Sequence, residues 1–151
     1  MAERQRDGYV LTSNAARVDV DRVHQWLCEE SYWAAGRPRE IVARSIEGSK
    51  PYSILAGADQ VGFARTVTDG ATFAWICDVF IDADHRGRGL GKWLVDSIVE
   101  DLSAEGILRF LLATKDAHEV YRRSGFTPLE GADRFMEIDR RPTRAAILGH
   151  T

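Results

Sequence analysis

Residues 78–95 have the sequence Asp78-Val-Phe-Ile-Asp-Ala-Asp-His-Arg-Gly-Arg-Gly-Leu-Gly-Lys-Trp-Leu-Val95. An apolar segment leads into a loop of arginine and glycine, and the loop leads into a segment with the apolar spacing of a helix. Because glycine has no Cβ, a ligand can approach the backbone of Gly87, Gly89 and Gly91 closely, and the N–H groups there can turn toward an anion. The following helix adds the positive end of its dipole, so this segment is predicted to bind phosphate.

Two common phosphate-binding motifs do not fit this spacing. A P-loop needs four residues between its glycines and a Ser or Thr after its lysine. Here three residues separate Gly87 from Gly91, and Lys92 is followed by Trp93. The dinucleotide-binding fingerprint needs Gly-x-Gly-x-x-Gly, whereas glycine here alternates strictly with other residues. Both motifs are therefore excluded.

The pattern Arg86-x-x-Gly89-x-Gly91 resembles the acetyl-CoA loop of the GNAT (Gcn5-related N-acetyltransferase) acyltransferases. In that family Arg/Gln-x-x-Gly-x-Gly/Ala lies between the fourth strand and the third helix. A second family signature, Asn-x-x-Ala-x-x-x-Tyr-x-x-x-Gly-Phe, is matched by Ala117, Tyr121, Gly125 and Phe126, with Thr114 in place of the asparagine. Two signatures in the family's order and spacing make chance similarity an unlikely explanation.

The resemblance implies an α/β (α+β) fold in which helices flank a central mixed, mostly antiparallel sheet. Hydrophobic periodicity and turn residues predict the element order β-α-α-β-β-β-α-β-α-β. The predicted strands are residues 9–12, 52–56, 61–68, 73–81, 108–113 and 135–138. The first predicted helix begins at Asp19 or Asp21 and ends at residue 29. The other predicted helices are residues 39–45, 89–104 and 117–124. Because the strand over residues 73–81 carries one charge, at Asp78, it is predicted to be central and covered on both faces.

Length and charge narrow the class of protein. The 151 residues predict one domain over residues 1–151, with residues 139–151 as a loosely held polar tail. The net charge of −3 argues against a nucleic-acid partner. The sequence contains neither an apolar run long enough to span a membrane nor the apolar segment of a signal peptide, so a cytoplasmic protein without a membrane partner is expected. Cys28 and Cys77 are expected to be reduced core thiols.

The resemblance implies acetyl-CoA as co-substrate, and no metal is expected. The pyrophosphate would lie on the backbone N–H groups from Arg86 to Gly91, and cationic side chains would add charge. The pantetheine arm would pair with the strand before the loop, which requires a gap between that strand and residues 108–113. The predicted cofactor-binding residues are Val79, Phe80, Ile81, Arg86, Gly87, Arg88, Gly89, Leu90, Gly91, Lys92 and Thr114.

Tyr121 matches the family's tyrosine that acts as general acid. A phenol with a pKa near 10 protonates a thiolate with a pKa near 8.5 at a cost of about 2 kcal/mol, so hydrogen bonding alone can suffice. Asp78 is the first candidate for the general base, because it is the one charge on the central strand. It can equally be a structural carboxylate. Asp116 and His118 are further options for the base, and both can also be surface residues at a helix start.

The predicted activity is acetyl transfer from the CoA thioester to a primary amine of a small molecule or free amine, by direct attack. The acceptor would be held by the segment after the first helix, where Glu29 or Glu30 can bind a cation and Tyr32 and Trp33 can stack on a substrate. The two aromatic residues can instead seal the edge of the core. A monomer or homodimer is expected. The main alternative is a non-catalytic module that binds or senses acyl-CoA. A third hypothesis, a modifier of RNA or ribosomal protein, is disfavoured by the acidic charge balance.

Overall fold

A computed structural model of the protein describes residues 3–141. Six strands form one sheet in chain order, and each neighbouring pair is antiparallel except the last, which is parallel. The strands are β1 Arg4–Arg6, β2 Tyr9–Thr12, β3 Lys50–Ala56, β4 Asp59–Thr68, β5 Ala74–Ile81 and β6 Phe110–Leu111. The helices are α1 Val20–Gln25, α2 Arg39–Glu47, α3 Leu90–Ala104 and α4 His118–Arg122, and a π-helical turn, Trp26–Glu30, extends α1. The predicted fold class is confirmed.

The sheet has a hydrophobic core on each face. On one face, α3 buries its four-residue repeat of leucine and isoleucine against the central strands. On the other face, α1 and α2 bury Val23, Trp26 and Val42 together with Phe63 and Phe80 of the sheet. The prediction that β5 is covered on both faces is confirmed, because its side chains enter both cores. The prediction that β5 is central is wrong, because its edge toward β6 pairs only at Ala74 and Trp75.

Local sequence signals set the ends of several elements. Asp19 caps α1, since its carboxylate accepts the Arg22 N–H at 3.1 Å. Gly106 and Gly125 follow α3 and α4 with φ of +94° and +97°, in the left-handed region that glycine adopts without steric cost. These stop positions agree with the sequence-based prediction.

A β-bulge interrupts β5 at Asp78. The register between β4 and β5 shifts between Phe63 and Arg65, where Asp78 and Val79 together face a single residue of β4. Asp78 has a φ of +53°, which is rare for a residue other than glycine. A bulge changes the face to which the following side chains point. It directs the Asp78 carboxylate toward the segment that joins α1 to α2.

β5 and β6 pair only where they begin. The parallel ladder consists of Ala74 opposite Phe110 and Trp75 opposite Leu111. Beyond Trp75, no strand among residues 3–141 pairs with this edge of β5. The gap required for pairing with an extended ligand is therefore present, at the end of β5 that leads into the arginine–glycine loop.

Two strand predictions at the C-terminal side are wrong. The strand predicted over residues 108–113 is reduced to Phe110–Leu111, and residues 135–138 form no strand. Phe135, Met136 and Ile138 are 51%, 97% and 80% exposed. An alternating apolar pattern gives a strand only where a neighbouring edge can pair with it, and the two residues of β6 offer little edge.

The sequence analysis also missed β1. It pairs with β2 across Asp7 and Gly8, which both have positive φ, as a tight hairpin turn requires. The observed order therefore gains a first strand and lacks the predicted last one within the described residues. Residues 142–151 of the predicted tail lie outside those residues. No helix within residues 3–141 combines the length and the apolar character needed to cross a bilayer.

Candidate functional site

A cleft of about 710 Å³ lies at the open edge of β5. Its walls come from the end of β5, the arginine–glycine loop, the start of α4 and the segment after α1. Most of the predicted site residues line it: Glu30, Tyr32, Trp33, Val79, Phe80, Ile81, Arg86, Gly87, Gly89, Leu90, Gly91 and Lys92. The fold thus brings the predicted cofactor segment and the predicted acceptor segment to one cavity.

The loop before α3 presents free backbone donors. Gly89 has a φ of +75° and its carbonyl accepts the Trp93 N–H at 3.0 Å, which begins α3. Within residues 3–141, no backbone carbonyl accepts the N–H groups of residues 87–92. The first turn of a helix leaves its N–H groups without partners and carries a partial positive charge. This loop therefore has the free donors and the partial positive charge that suit an anion.

Each cationic side chain of the loop already has a partner in the protein. Arg86 donates Nε–H to the Ile81 carbonyl at 2.9 Å, and its guanidinium lies over the Phe80 ring. Arg88 donates to the Tyr9 hydroxyl at 2.7 Å. Lys92 pairs with Asp96 one turn further along α3. These contacts hold the side chains in place, and the remaining N–H groups of the guanidinium and ammonium groups add to the free backbone donors of the loop.

The Thr114 hydroxyl accepts the Ala117 N–H at 3.0 Å, just before α4. Thr114 takes the position of the family asparagine, and in this structure it holds the turn that leads into α4. It is not among the residues that line the cleft.

Asp78 is buried and accepts three side-chain hydrogen bonds, each of 2.9 Å. Trp33 Nε1 donates to Oδ1, whereas Arg37 Nη1 and Arg65 Nε both donate to Oδ2. The Asp78 side chain is 3% exposed, and the side chains of Arg37 and Arg65 are 21% and 16% exposed. The sequence left two roles open for Asp78, a general base and a structural carboxylate, and this geometry favours the structural carboxylate. The groups that donate to it are side chains of other segments.

The segment between α1 and α2 is tied to the cleft at two points. Trp33 bonds to Asp78, as described above, and the Tyr32 hydroxyl accepts the Lys115 N–H at 3.0 Å. The rings of Tyr32 and Trp33 meet edge to face at a centroid distance of 5.0 Å. The aromatic pair therefore both lines the cleft and connects α1 with the start of α4.

Tyr121 lies on α4, beside the cleft. Its ring meets Phe126 edge to face at 6.1 Å, and it is not among the lining residues, although its neighbour Val120 is. Burial raises the pKa of Tyr121, and the nearby Tyr32 and Asp116 raise it further. A phenol of higher pKa is a weaker proton donor than the sequence argument assumed.

Of the other base candidates, Asp116 lines the cleft and His118 does not. Cys77 precedes Asp78 on β5, and burial raises the pKa of its thiol to about 11.

A larger cavity of about 760 Å³ lies between β6 and residues 124–134 and contains no predicted site residue in its lining.

The sequence analysis missed three lining residues, His85, Val120 and Arg123. His85 directly precedes the Arg86 motif, so its position beside the loop was a usable signal. Val120 and Arg123 flank Tyr121 within three residues, and helical spacing places them on the same side of α4 as Ala117 and Asp116.

Residues 20–126 match the sequence model of the acetyltransferase (GNAT) family. A crystal structure of a GNAT-family protein from Xanthomonas campestris pv. campestris has a TM-score of 0.82 and 37% identity, covering 87% of this chain and 92% of that chain. GCN5-related N-acetyltransferase 2, chloroplastic, of Arabidopsis thaliana is 37% identical over an alignment of 139 residues that covers 78% of this chain. The match spans 53% of that plant protein, or about half its length.

A crystal structure of a predicted acetyltransferase from Clostridium acetobutylicum, with acetyl-CoA, has a TM-score of 0.66 and 12% identity. It covers 87% of this chain and 94% of that chain. At this identity the similarity concerns the fold alone.

Proposed function

The chain belongs to the acetyltransferase (GNAT) family, and we propose on this basis that it transfers an acetyl group from acetyl-CoA to a primary amine of a small molecule. The observation that supports this most is the open edge of β5 beside the free N–H groups of residues 87–92. The amide groups of an extended arm would pair with the open edge of β5. The anionic end of the same ligand would be bound by the free N–H groups of residues 87–92. Residues of both features line the cleft.

The proposed binding residues follow from the described contacts. The N–H groups of residues 87–92 would hold the pyrophosphate, and Arg123, Arg86 and Lys92 add positive charge around the cleft. Val79 and Ile81 offer backbone groups at the unpaired edge. Thr114 would act indirectly, through the start of α4.

Acetyl transfer forms a nitrogen–carbon bond, breaks a carbon–sulfur bond and leaves a thiolate that must be stabilised. We propose Tyr121 for this step, on the strength of its place in the family signature. Its raised pKa favours a hydrogen bond to the thiolate over full proton transfer. A backbone N–H near Val79 would polarise the carbonyl, as oxyanion-binding donors do.

The amine must be neutral to attack. Asp78 accepts from two arginines and one tryptophan, so its oxygens are occupied by fixed donors, and we propose that it anchors the wall of the cleft. Asp116 lines the cleft without this constraint and is the better candidate for a base or a water relay. An aliphatic amine with a pKa near 10.4 needs about 4.6 kcal/mol to lose its proton at pH 7, so such help matters.

We propose that the acceptor enters beside Tyr32 and Trp33. Glu30 and Asp116 both line the cleft there and would attract an amine that arrives protonated. A monomer or homodimer in the cytoplasm is consistent with this proposal.

The function is tested by thermal unfolding with acetyl-CoA. At a concentration 100 times Kd, a ligand that binds the folded state alone adds about 2.7 kcal/mol of stability. For a chain of this size that corresponds to an increase in Tm of about 5–10 °C. The same samples, with primary amines added, are then assayed for release of free CoA thiol. No increase in Tm at saturating acetyl-CoA would contradict the proposal.

A non-catalytic module that binds acyl-CoA is the second candidate. Two observations favour it: Tyr121 is not among the cleft-lining residues, and the raised pKa of its phenol makes it a weaker acid. Such a module would give the increase in Tm with acetyl-CoA but would release no thiol with any amine.

A further inference from the structure

A hydrogen-bonded cluster joins the N-terminal hairpin to the arginine–glycine loop. The hydroxyl of Tyr9, a buried residue of β2, lies 2.8 Å from Nδ1 of His85 and 2.7 Å from Nη1 of Arg88. The rings of Tyr9 and His85 meet edge to face at 5.7 Å. His85 also lines the cleft. One phenol thus contacts two side chains of the loop, from a strand that lies 76 residues earlier in the chain.

The direction of these hydrogen bonds determines which imidazole nitrogen carries a proton. Arg88 can only donate, so it occupies a lone pair of the Tyr9 oxygen. The single phenolic proton is then left for Nδ1 of His85, which is the acceptor within reach among the described residues. In the neutral ring the proton consequently lies on Nε2. A protonated ring would also carry a proton on Nε2, so that nitrogen is a donor in both states.

We propose that His85 is a further acetyl-CoA-binding residue, whose Nε2–H donates to the cofactor, and that Tyr9 is the positioning residue that fixes the ring for this task. The proposal rests on the proposed function, because it assumes that the cleft binds acetyl-CoA. The groups that acetyl-CoA would present to the loop are phosphate oxygens and amide carbonyls, and both are acceptors that match an N–H donor. Tyr9 acts through His85 and does not itself line the cleft.

A second residue of the β1–β2 hairpin, Arg6, also contacts the arginine–glycine loop. Arg6, at the end of β1, lies against the loop, because a Cβ built on Gly89 would approach its Nη2 to 3.3 Å. Its guanidinium also lies 5.8 Å from the centre of the Trp93 ring at the start of α3. The hairpin β1–β2 therefore contacts both the loop and the start of α3.

Calorimetric titration of acetyl-CoA into purified variants tests the proposal. His85→Ala should weaken the affinity about tenfold, the effect of losing one hydrogen bond to a charged or strongly polar acceptor. His85→Gln, whose amide nitrogen reaches the position of Nε2, should restore most of the affinity. His85→Asn, whose amide reaches only the position of Nδ1, should not.

Tyr9→Phe should weaken the affinity about threefold in the wild-type background and have no further effect in the His85→Ala background, because Tyr9 acts through the imidazole. Tyr52→Phe is the matched control. Tyr52 is likewise buried on a neighbouring strand and donates its hydroxyl to a carboxylate, that of Asp101, but it does not line the cleft. The control should lose stability and keep its affinity for acetyl-CoA.

The outcomes separate this proposal from the proposed function. A wild-type protein that does not bind acetyl-CoA overturns the proposed function and this inference with it. Wild-type binding with unchanged affinity in His85→Ala overturns this inference alone. Equal losses in His85→Gln and His85→Asn, or a Tyr9→Phe effect that adds in full to that of His85→Ala, also overturn it.

Discussion

Trp33 donates its indole N–H to Oδ1 of Asp78 at 2.9 Å, which fastens the segment between α1 and α2 to the bulge in β5. The other oxygen of the same carboxylate accepts from Arg37 and Arg65. One wall of the cleft therefore depends on a single buried anion that two guanidinium groups neutralise. The arrangement explains why a charged residue lies on the otherwise apolar strand β5.

Asp78→Asn should destabilise the fold by about 3 kcal/mol, because it leaves two partly buried guanidinium groups without their counter-charge. Chemical denaturation measures this loss. Asp21→Asn, which breaks an exposed pair with Arg39, is the control and should cost less than about 1 kcal/mol.

The same variant also distinguishes an anchor from a general base. If Asp78 anchors the wall, the activity that Asp78→Asn loses should stay lost from pH 7 to pH 9. If Asp78 were the base, raising the pH would deprotonate the amine in solution and recover much of the rate, and that recovery would contradict our assignment.

Gly89→Glu should abolish the increase in Tm with acetyl-CoA, because its side chain would bring a negative charge to the anion site at the start of α3. The φ of +75° adds a strain of about 1–2 kcal/mol for any residue with a Cβ. Gly106→Glu at the other end of α3 is the matched control. Gly106 has a φ of +94° and open space around it, so this variant should lose stability but keep the response to acetyl-CoA. A normal response in Gly89→Glu would refute the assignment of the loop.

Tyr121→Phe should lower kcat about 100-fold and leave the Kd for acetyl-CoA nearly unchanged. Since burial first, and then Tyr32 and Asp116, raise the pKa of Tyr121, the phenol keeps its proton to above pH 10. Loss of the Tyr121 proton should therefore not lower the wild-type rate below pH 10. Any fall in rate that the wild type shows below pH 10 should also be present in Tyr121→Phe. A fall of this kind near pH 8 would assign the proton donor to another group.

Cys77→Ala should keep kcat within about twofold of the wild type. Burial raises the pKa of the Cys77 thiol to about 11, so roughly 0.1% of it is ionised at pH 8, and it is poorly suited to carry the acetyl group. Initial-velocity plots should intersect, as expected for direct attack on the thioester. Parallel lines, together with loss of activity in Cys77→Ala, would indicate an acetyl-cysteine intermediate.

The parts of the fold that depend on local pattern could be predicted from the sequence. The loop at residues 86–91 and the caps at Asp19 and Gly106 are encoded in neighbouring residues, and they lie where the sequence placed them. The gap beside β5 followed from the family resemblance. The segment at residues 135–138 has a strand-like pattern but no strand, because pairing depends on an edge that β6 is too short to supply.

Features that depend on register between distant segments could not be predicted. The bulge at Asp78 exists only in relation to β4, and it brings Trp33, Arg37 and Arg65 to one carboxylate. The contact of Tyr9 with His85 likewise requires the sheet order and the loop geometry together. No short-range pattern in the sequence signals either arrangement.

Release of CoA thiol from acetyl-CoA, followed with a panel of primary amines, tests the central claim most directly. We predict release that requires an amine, that equals the amount of acetylated amine formed and that is lost in Gly89→Glu but not in Gly106→Glu. Binding of acetyl-CoA with no amine-dependent thiol release across the panel would contradict the claim of catalysis and favour a module that only binds the cofactor.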